Sequence, residues 1–203
     1  MILEPRFTDD VSDLPTFKFG PSSLTWWGII GFMVIEGAGF GLAFAAYFFL
    51  MGHEQGWPPE GRLPPDLLAG TLFLVVILLS EYPNAIIKRA AKTGDVATIR
   101  LLLPLMVAVG VVLLIIRGFE FNSLNCRWTD DAYSSIIWAL LLLHASHILT
   151  DWLDTVVLCA LMYTPVAYEP RRWGDVDENS MYWRYVWMLW IPIYLMIYWV
   201  PRL

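Results

Sequence analysis

The chain has 203 residues and a formal net charge of −6; 58% of its residues are hydrophobic and 16% charged. A water-soluble domain carries about 25% charged and 45–50% apolar residues, so this composition excludes an ordinary soluble enzyme. The acids cluster in connecting segments, as in Asp9, Asp10, Asp13 and in Asp175, Asp177, Glu178, and no basic stripe is present to neutralise phosphates. Nucleic acid is thereby excluded as a partner.

The first twenty residues are polar and acidic, without the basic and apolar regions of a secretory signal. Five apolar blocks follow, at 24–51, 67–87, 99–119, 133–162 and 182–200. A hydrocarbon core about 30 Å thick needs roughly 20 apolar residues per helix, so each block suffices to span it. The expectation is an all-α integral membrane bundle of five transmembrane helices, residues 24–203, preceded by a cytoplasmic tail at 1–23. Proline, glycine and charge punctuate the connections at 52–65, 88–100, 121–131 and 164–179. Cys126 and Cys159 belong to no Cys-x-x-Cys motif, so no zinc or redox pair is readable.

Basic residues set the expected orientation. The N-terminal tail, the second connection and the fourth, with Arg184 at its edge, hold nine lysines and arginines. The opposite side holds Arg62, Arg117, Arg127 and Arg202. The positive-inside rule then places the N-terminus in the cytoplasm and the C-terminus outside. Tryptophans near the block ends, such as Trp26, Trp57, Trp128 and Trp199, suit headgroup-level positions.

Ionisable side chains within the blocks are the functional candidates, because a charge at a helix centre costs at least ~2.5 kcal/mol. Glu36 stands mid-block beside Gly37 and Gly41, a spacing that lets another helix approach closely. Two readings are open for it: a carboxylic acid hydrogen-bonded within the bundle, or a station on a proton or ligand route. Glu81 precedes Tyr82-Pro83 and reads as an interfacial acid at a kink. Glu120 closes the third block, with Arg117 in ion-pair register at i, i+3. The fourth block carries His144, His147, Asp151 and Asp154 at i, i+3, i+7 and i+10, hence on one helical face. With Glu36 and Glu120 this stripe could hold a di-metal site; the alternative is a buried polar seam gluing helices together. A transporter would show paired repeats, and none is visible.

Several motifs resemble, in order, those of subunit III of the heme-copper cytochrome c oxidases, in its short five-helix form. Trp27 to Phe49 is similar to the family helix with a mid-membrane Glu, matched here by Glu36. Trp57-Pro58-Pro59 is similar to its Trp-Pro-Pro element. Arg117-Gly-Phe-Glu120-Phe121 resembles Gln-x-Tyr-Glu-Tyr, His144-Ala-Ser-His147 resembles His-Gly-Leu-His, and Tyr182-Trp-Arg184-Tyr-Val186 resembles Tyr-Trp-His-Phe-Val. Arg184 replaces the family's His, Trp187 its following Asp, and Asp151 adds a charge, so the resemblance is to a divergent member, of an oxidase or of a related nitric oxide reductase assembly. It implies an accessory, non-catalytic subunit of the bacterial cytoplasmic (inner) membrane, supporting proton uptake and the durability of turnover. It implies no metal in this chain, heme and copper in partner subunits, a catalytic subunit as partner, and bound phospholipid. Glu36, Glu120, His144, His147 and Asp151 would then form the intramembrane polar or proton site. Arg184 would contact a lipid headgroup or pair with an acid.

Overall fold

The computed structural model describes residues 18–203; the acidic tail residues and Arg6 lie outside them. Five long helices make up the described chain: α1 Leu24–His53, α2 Leu67–Thr93, α3 Val96–Asn122, α4 Ala132–Met162 and α5 Pro170–Tyr194. The first four are long and apolar enough to cross a membrane. A multi-pass helical membrane bundle follows, because hydrocarbon tolerates only segments whose backbone groups are paired internally.

Local chemistry sets the helix ends. Asp95 caps α3 by accepting from the Thr98 amide at 3.1 Å, and Asp131 caps α4 by accepting from the Ser134 amide at 2.7 Å. Gly94 ends α2 in the left-handed conformation, φ +68°, and a Cβ there would meet the Trp173 ring at 2.9 Å. Glycine is required twice more for close approach. A Cβ on Gly70 would sit 2.3 Å from the Tyr198 ring, and one on Gly110 would sit 2.2 Å from the Trp152 ring.

α5 departs most from the apolar pattern. It begins at Pro170, far ahead of the block at 182–200, and its first half carries Arg171, Arg172, Asp175, Asp177 and Glu178. Proline at the first helical position explains the early start, since its missing N–H is an orphan there and its φ suits a helix. Near the other end Pro192 removes an in-helix donor. The chain continues as a π turn, Leu195–Trp199, and a 3-10 turn, Val200–Arg202. A single π turn is a common way for a helix to absorb such a defect.

α2 packs on α3 and α5, α3 on α4, and α4 on α5. α1 lies outside this core against α4 and α5, burying only Phe40 and Tyr47 fully. Side-chain hydrogen bonds tie it in. The Tyr47 hydroxyl donates to the Met196 carbonyl (2.6 Å), Trp57 Nε1 donates to the Tyr47 hydroxyl (2.7 Å), and the Tyr185 hydroxyl donates to the Met33 carbonyl (2.9 Å).

Candidate functional site

The polar stripe of α4 is divided between two environments. His144 belongs to the closed core. Its Nε2 lies 3.1 Å from the Val186 carbonyl oxygen, and Nδ1 lies 2.8 Å from Arg117 Nη2. A carbonyl only accepts and a guanidinium only donates. The ring is therefore held as the tautomer with hydrogen on Nε2 and a lone pair on Nδ1. Arg117 also donates through Nη1 to Glu120 Oε2 at 2.6 Å, and Glu120 Oε1 accepts from the Tyr198 hydroxyl at 2.5 Å. Phe73 and Trp190 stack on the guanidinium, 3.8 and 4.3 Å from their ring centroids. Glu120 and His144 are fully buried and Arg117 is 3% exposed.

Arg117 and Glu120 thus form the expected i, i+3 pair, inside the bundle rather than at its outer surface. The reason is the C-terminal π turn, which brings Tyr198 over Glu120. Arg202 then reaches the Pro65 carbonyl, and Asp66 N donates to the Ser123 carbonyl at 2.9 Å. These links fold the connections over the end of α3.

His147 lies one turn further along, at a cavity between α1, α4 and α5. Its Nδ1 is 2.6 Å from the Leu143 carbonyl, which fixes a hydrogen on Nδ1. Nε2 faces Glu36 Oε1 at 2.9 Å. The distance is that of a hydrogen bond, but the approach lies off the ring-nitrogen axis, and Nε2 has no well-aligned partner. Glu36 also accepts from the Tyr182 hydroxyl on both oxygens, at 3.0 and 2.8 Å.

Asp151 follows on the same face, 2% exposed. Asn179 Nδ2 donates to its Oδ1 at 3.1 Å and to Asp154 Oδ2 at 3.0 Å. Asp151 Oδ2 has no partner. The cavity beside these groups has a volume of about 480 Å³.

Glu36, His147 and Asp151 therefore meet on one cavity wall, while Glu120 and His144 lie apart from it in the closed core. Glu120 and His144 are joined through a guanidinium, and no group of three or more His, Cys, Asp or Glu among the described residues could hold a metal ion. A cation between two would-be ligands opposes a second one, so the residues present do not fit the di-metal reading.

Arg184 stands mid-way along α5, not at a loop edge. It pairs through Nη2 and Nε with Glu81 Oε1, the latter at 2.8 Å, and Trp187 Nε1 donates to Glu81 Oε2 at 3.1 Å. Glu81 is correspondingly central in α2, because that helix continues to Thr93. The Arg184 side chain remains 42% exposed and borders a second hollow of about 550 Å³ with Trp26, Lys88 and Lys92.

Two site residues escape sequence reasoning: Asn179, which falls in the connection at 164–179, and Tyr198. Arg117 is read as the partner of Glu120 but not as a buried partner of His144. Asn179 carried a readable signal: Pro170 as a helix start puts it on the same face as Tyr182 and Val186. For Arg117 and Tyr198 the signal is tertiary.

Outside the spanning segments two carboxylates are perturbed. Hydrogen bonds from the Thr98 hydroxyl and amide hold Asp95 below the usual carboxylate range. At Asp131 partial burial pushes upward, but hydrogen bonds from Ser134 and Arg62 outweigh it, and the net direction is down.

Comparison with known proteins decides the lineage. No family model matches the chain. The chain is 24% identical over 179 residues to cytochrome c oxidase subunit 3 of Synechocystis sp., covering 88% of this chain and 77% of that one. It is 25% identical over 175 residues to the subunit 3 of Thermostichus vulcanus, covering 86% and 87%. A probable subunit 3 from Mycobacterium leprae is 24% identical over 161 residues, covering 77% and 78%. The chain is a homologue of the cytochrome c oxidase subunit III family. Against the family pattern, Glu36 and His147 meet across α1 and α4, Glu120 and His144 meet through Arg117, and Arg184 pairs with Glu81.

Proposed function

We propose that this chain is an accessory, non-catalytic subunit of a respiratory heme-copper oxidase, multi-pass in a bacterial cytoplasmic membrane with its N-terminus inside. The observation that carries the reading is the similarity to oxidase subunit 3 proteins along 88% of the chain. Heme and copper belong to partner subunits in this reading, and the catalytic subunit packs on the lipid-facing helices.

Two features support the finer role. The His147–Glu36 pair is built to hold or pass one proton, since its other ring nitrogen is already committed to Leu143. That suits support of proton uptake. Arg184 is paired with Glu81 and Lys88 with Asp177, and together with Lys92 they border a hollow whose basic side suits the phosphate of a phospholipid. The orientation is supported by the basic residues. Arg117 is buried in the bundle and Arg184 stands midway along α5; setting these two aside leaves eight (nine less Arg184) on the expected inner side against three (four less Arg117) on the other, a bias of the same sign.

Purification from native membranes through a tag on this chain tests the reading. The optical spectrum and metal content are expected to show heme and copper carried by other subunits. A purified assembly without heme would overturn it.

A further inference from the structure

The cavity between α1, α4 and α5 carries acids beyond Glu36 that the accessory role does not use. Of the five carboxylates on its wall, four, Glu36, Asp151, Asp154 and Glu178, take hydrogen bonds only from neutral donors or face an imidazole. Tyr182 serves Glu36, Asn179 serves both aspartates, and the Thr25 hydroxyl donates to Glu178 at 2.6 Å. Arg172, the guanidinium on the wall, pairs with Asp175 at 2.6 Å. Asp151 is 98% buried, the complement of its 2% exposure, and Oδ2 is left without a partner. A buried polar atom without a partner costs about 1–3 kcal/mol.

The rest of the wall is apolar or aromatic. Ile29, Val157 and Leu161 line it, and the Phe32 and Tyr182 rings lie 5.9 Å apart beside Glu36. Carboxylates next to aromatic faces are the chemistry that recognises an ammonium group. The volume of about 480 Å³ falls within the range of small-molecule sites, ≈ 300–1,000 Å³, and far exceeds a bare ion.

We propose that this cavity binds a small amphiphilic amine. Its ammonium group sits against Asp151 and Asp154, and its apolar body lies along Ile29, Val157 and Leu161. An aminophospholipid fits less well, because its phosphate would enter among Asp154, Asp175 and Glu178 with Arg172 already paired. The proposal stands independently of membership in an oxidase complex.

The test uses the purified full chain in nanodiscs of zwitterionic lipid, with n-octylammonium as probe and n-octanol as its uncharged counterpart. Binding is read by calorimetry against empty discs. Saturable octylammonium binding is expected, with octanol showing only the partitioning seen in empty discs. Asp151→Asn, which keeps an acceptor for Asn179, is expected to weaken the probe at least ten-fold. Ile29→Trp fills the apolar end without touching a carboxylate and is expected to weaken it similarly, should Asp151→Asn fail to fold. Equal behaviour of amine and alcohol would overturn the proposal. So would octylammonium binding unchanged in either folded variant, or no saturable binding, which would leave the carboxylates as proton carriers. None of these outcomes depends on whether heme co-purifies.

Discussion

His144 and His147 stand one turn apart on the same face of α4, and their surroundings give them different chemistry. Around His144 every capacity is taken: Val186 accepts from one nitrogen, and Arg117 donates to the other. Aromatic rings from α2 and α5 exclude water from the guanidinium. Around His147 only one nitrogen is committed, and the other faces a carboxylate at the wall of a cavity. The difference comes from the neighbours. α2, α3 and α5 pack closely on the His144 end, whereas α1 approaches His147 as an outlying helix held by tyrosine hydroxyls and one Glu. A polar stripe thus yields a structural lock where three helices close over it and an open His–Glu contact on a cavity where a loosely packed helix leaves space.

The comparison breaks most readily at the lock. Arg117→Met leaves Glu120 and its partners buried without a counter-charge, a defect that costs about 3–5 kcal/mol. The expected outcome is a large fall in the midpoint of thermal unfolding in mild detergent. Adding Glu120→Gln to Arg117→Met should recover part of that loss, because the stranded charge is then gone.

At the cavity the effect is smaller. Glu36→Leu removes the acceptor for Tyr182 and the partner of His147, and should cost about 1–3 kcal/mol. The accompanying sign is faster amide exchange in α1 than in α3. Glu36→Gln keeps an acceptor for Tyr182 and should cost less than Glu36→Leu.

Smaller again is the cap of α4. Asp131→Ala removes the bond to the Ser134 amide and should cost ~1 kcal/mol, measured by the same unfolding midpoint. The smallest effect is a dependence on acid. Asp95 and Asp131 both lie below their usual range in the folded chain. Their stabilising contribution is therefore complete above the ordinary carboxylate value, about 3.9. It is lost as pH falls through the lower folded values. Unfolding midpoints between neutral pH and pH 3 should show this loss, and Asp95→Asn with Asp131→Asn should flatten it.

The fold was legible because membrane helices announce themselves by long apolar runs. Four of the five helices coincide with such blocks, fraying by a few residues at ends where Asp95, Asp131 and Gly94 set the caps. α5 was half legible. Its charged first half looks like a connection, and only Pro170 hints at a helix, since the burial of Asp177, Glu178 and Asn179 is a tertiary property. The stripe at His144, His147, Asp151 and Asp154 was legible as a face, because helical spacing alone dictates that. Its division was not. Which half is sealed depends on Arg117 pointing inward and on Tyr198 reaching back from a π turn, and neither follows from hydropathy or period. Orientation counts suffered for the same reason: hydropathy gives no sign that Arg117 and Arg184 are buried or paired within helices.

The central claim is that His144 is locked by its neighbours and that His147 is open to Glu36 across the cavity wall. Nitrogen-15 spectra of histidine-labelled full chain, assigned with His147→Asn, measure this directly. The account predicts a single Nε2–H tautomer for His144, unchanged by Glu36→Gln, and a His147 signal that shifts in that variant. A His144 signal that moves with Glu36→Gln, or a His147 signal that does not, would contradict it.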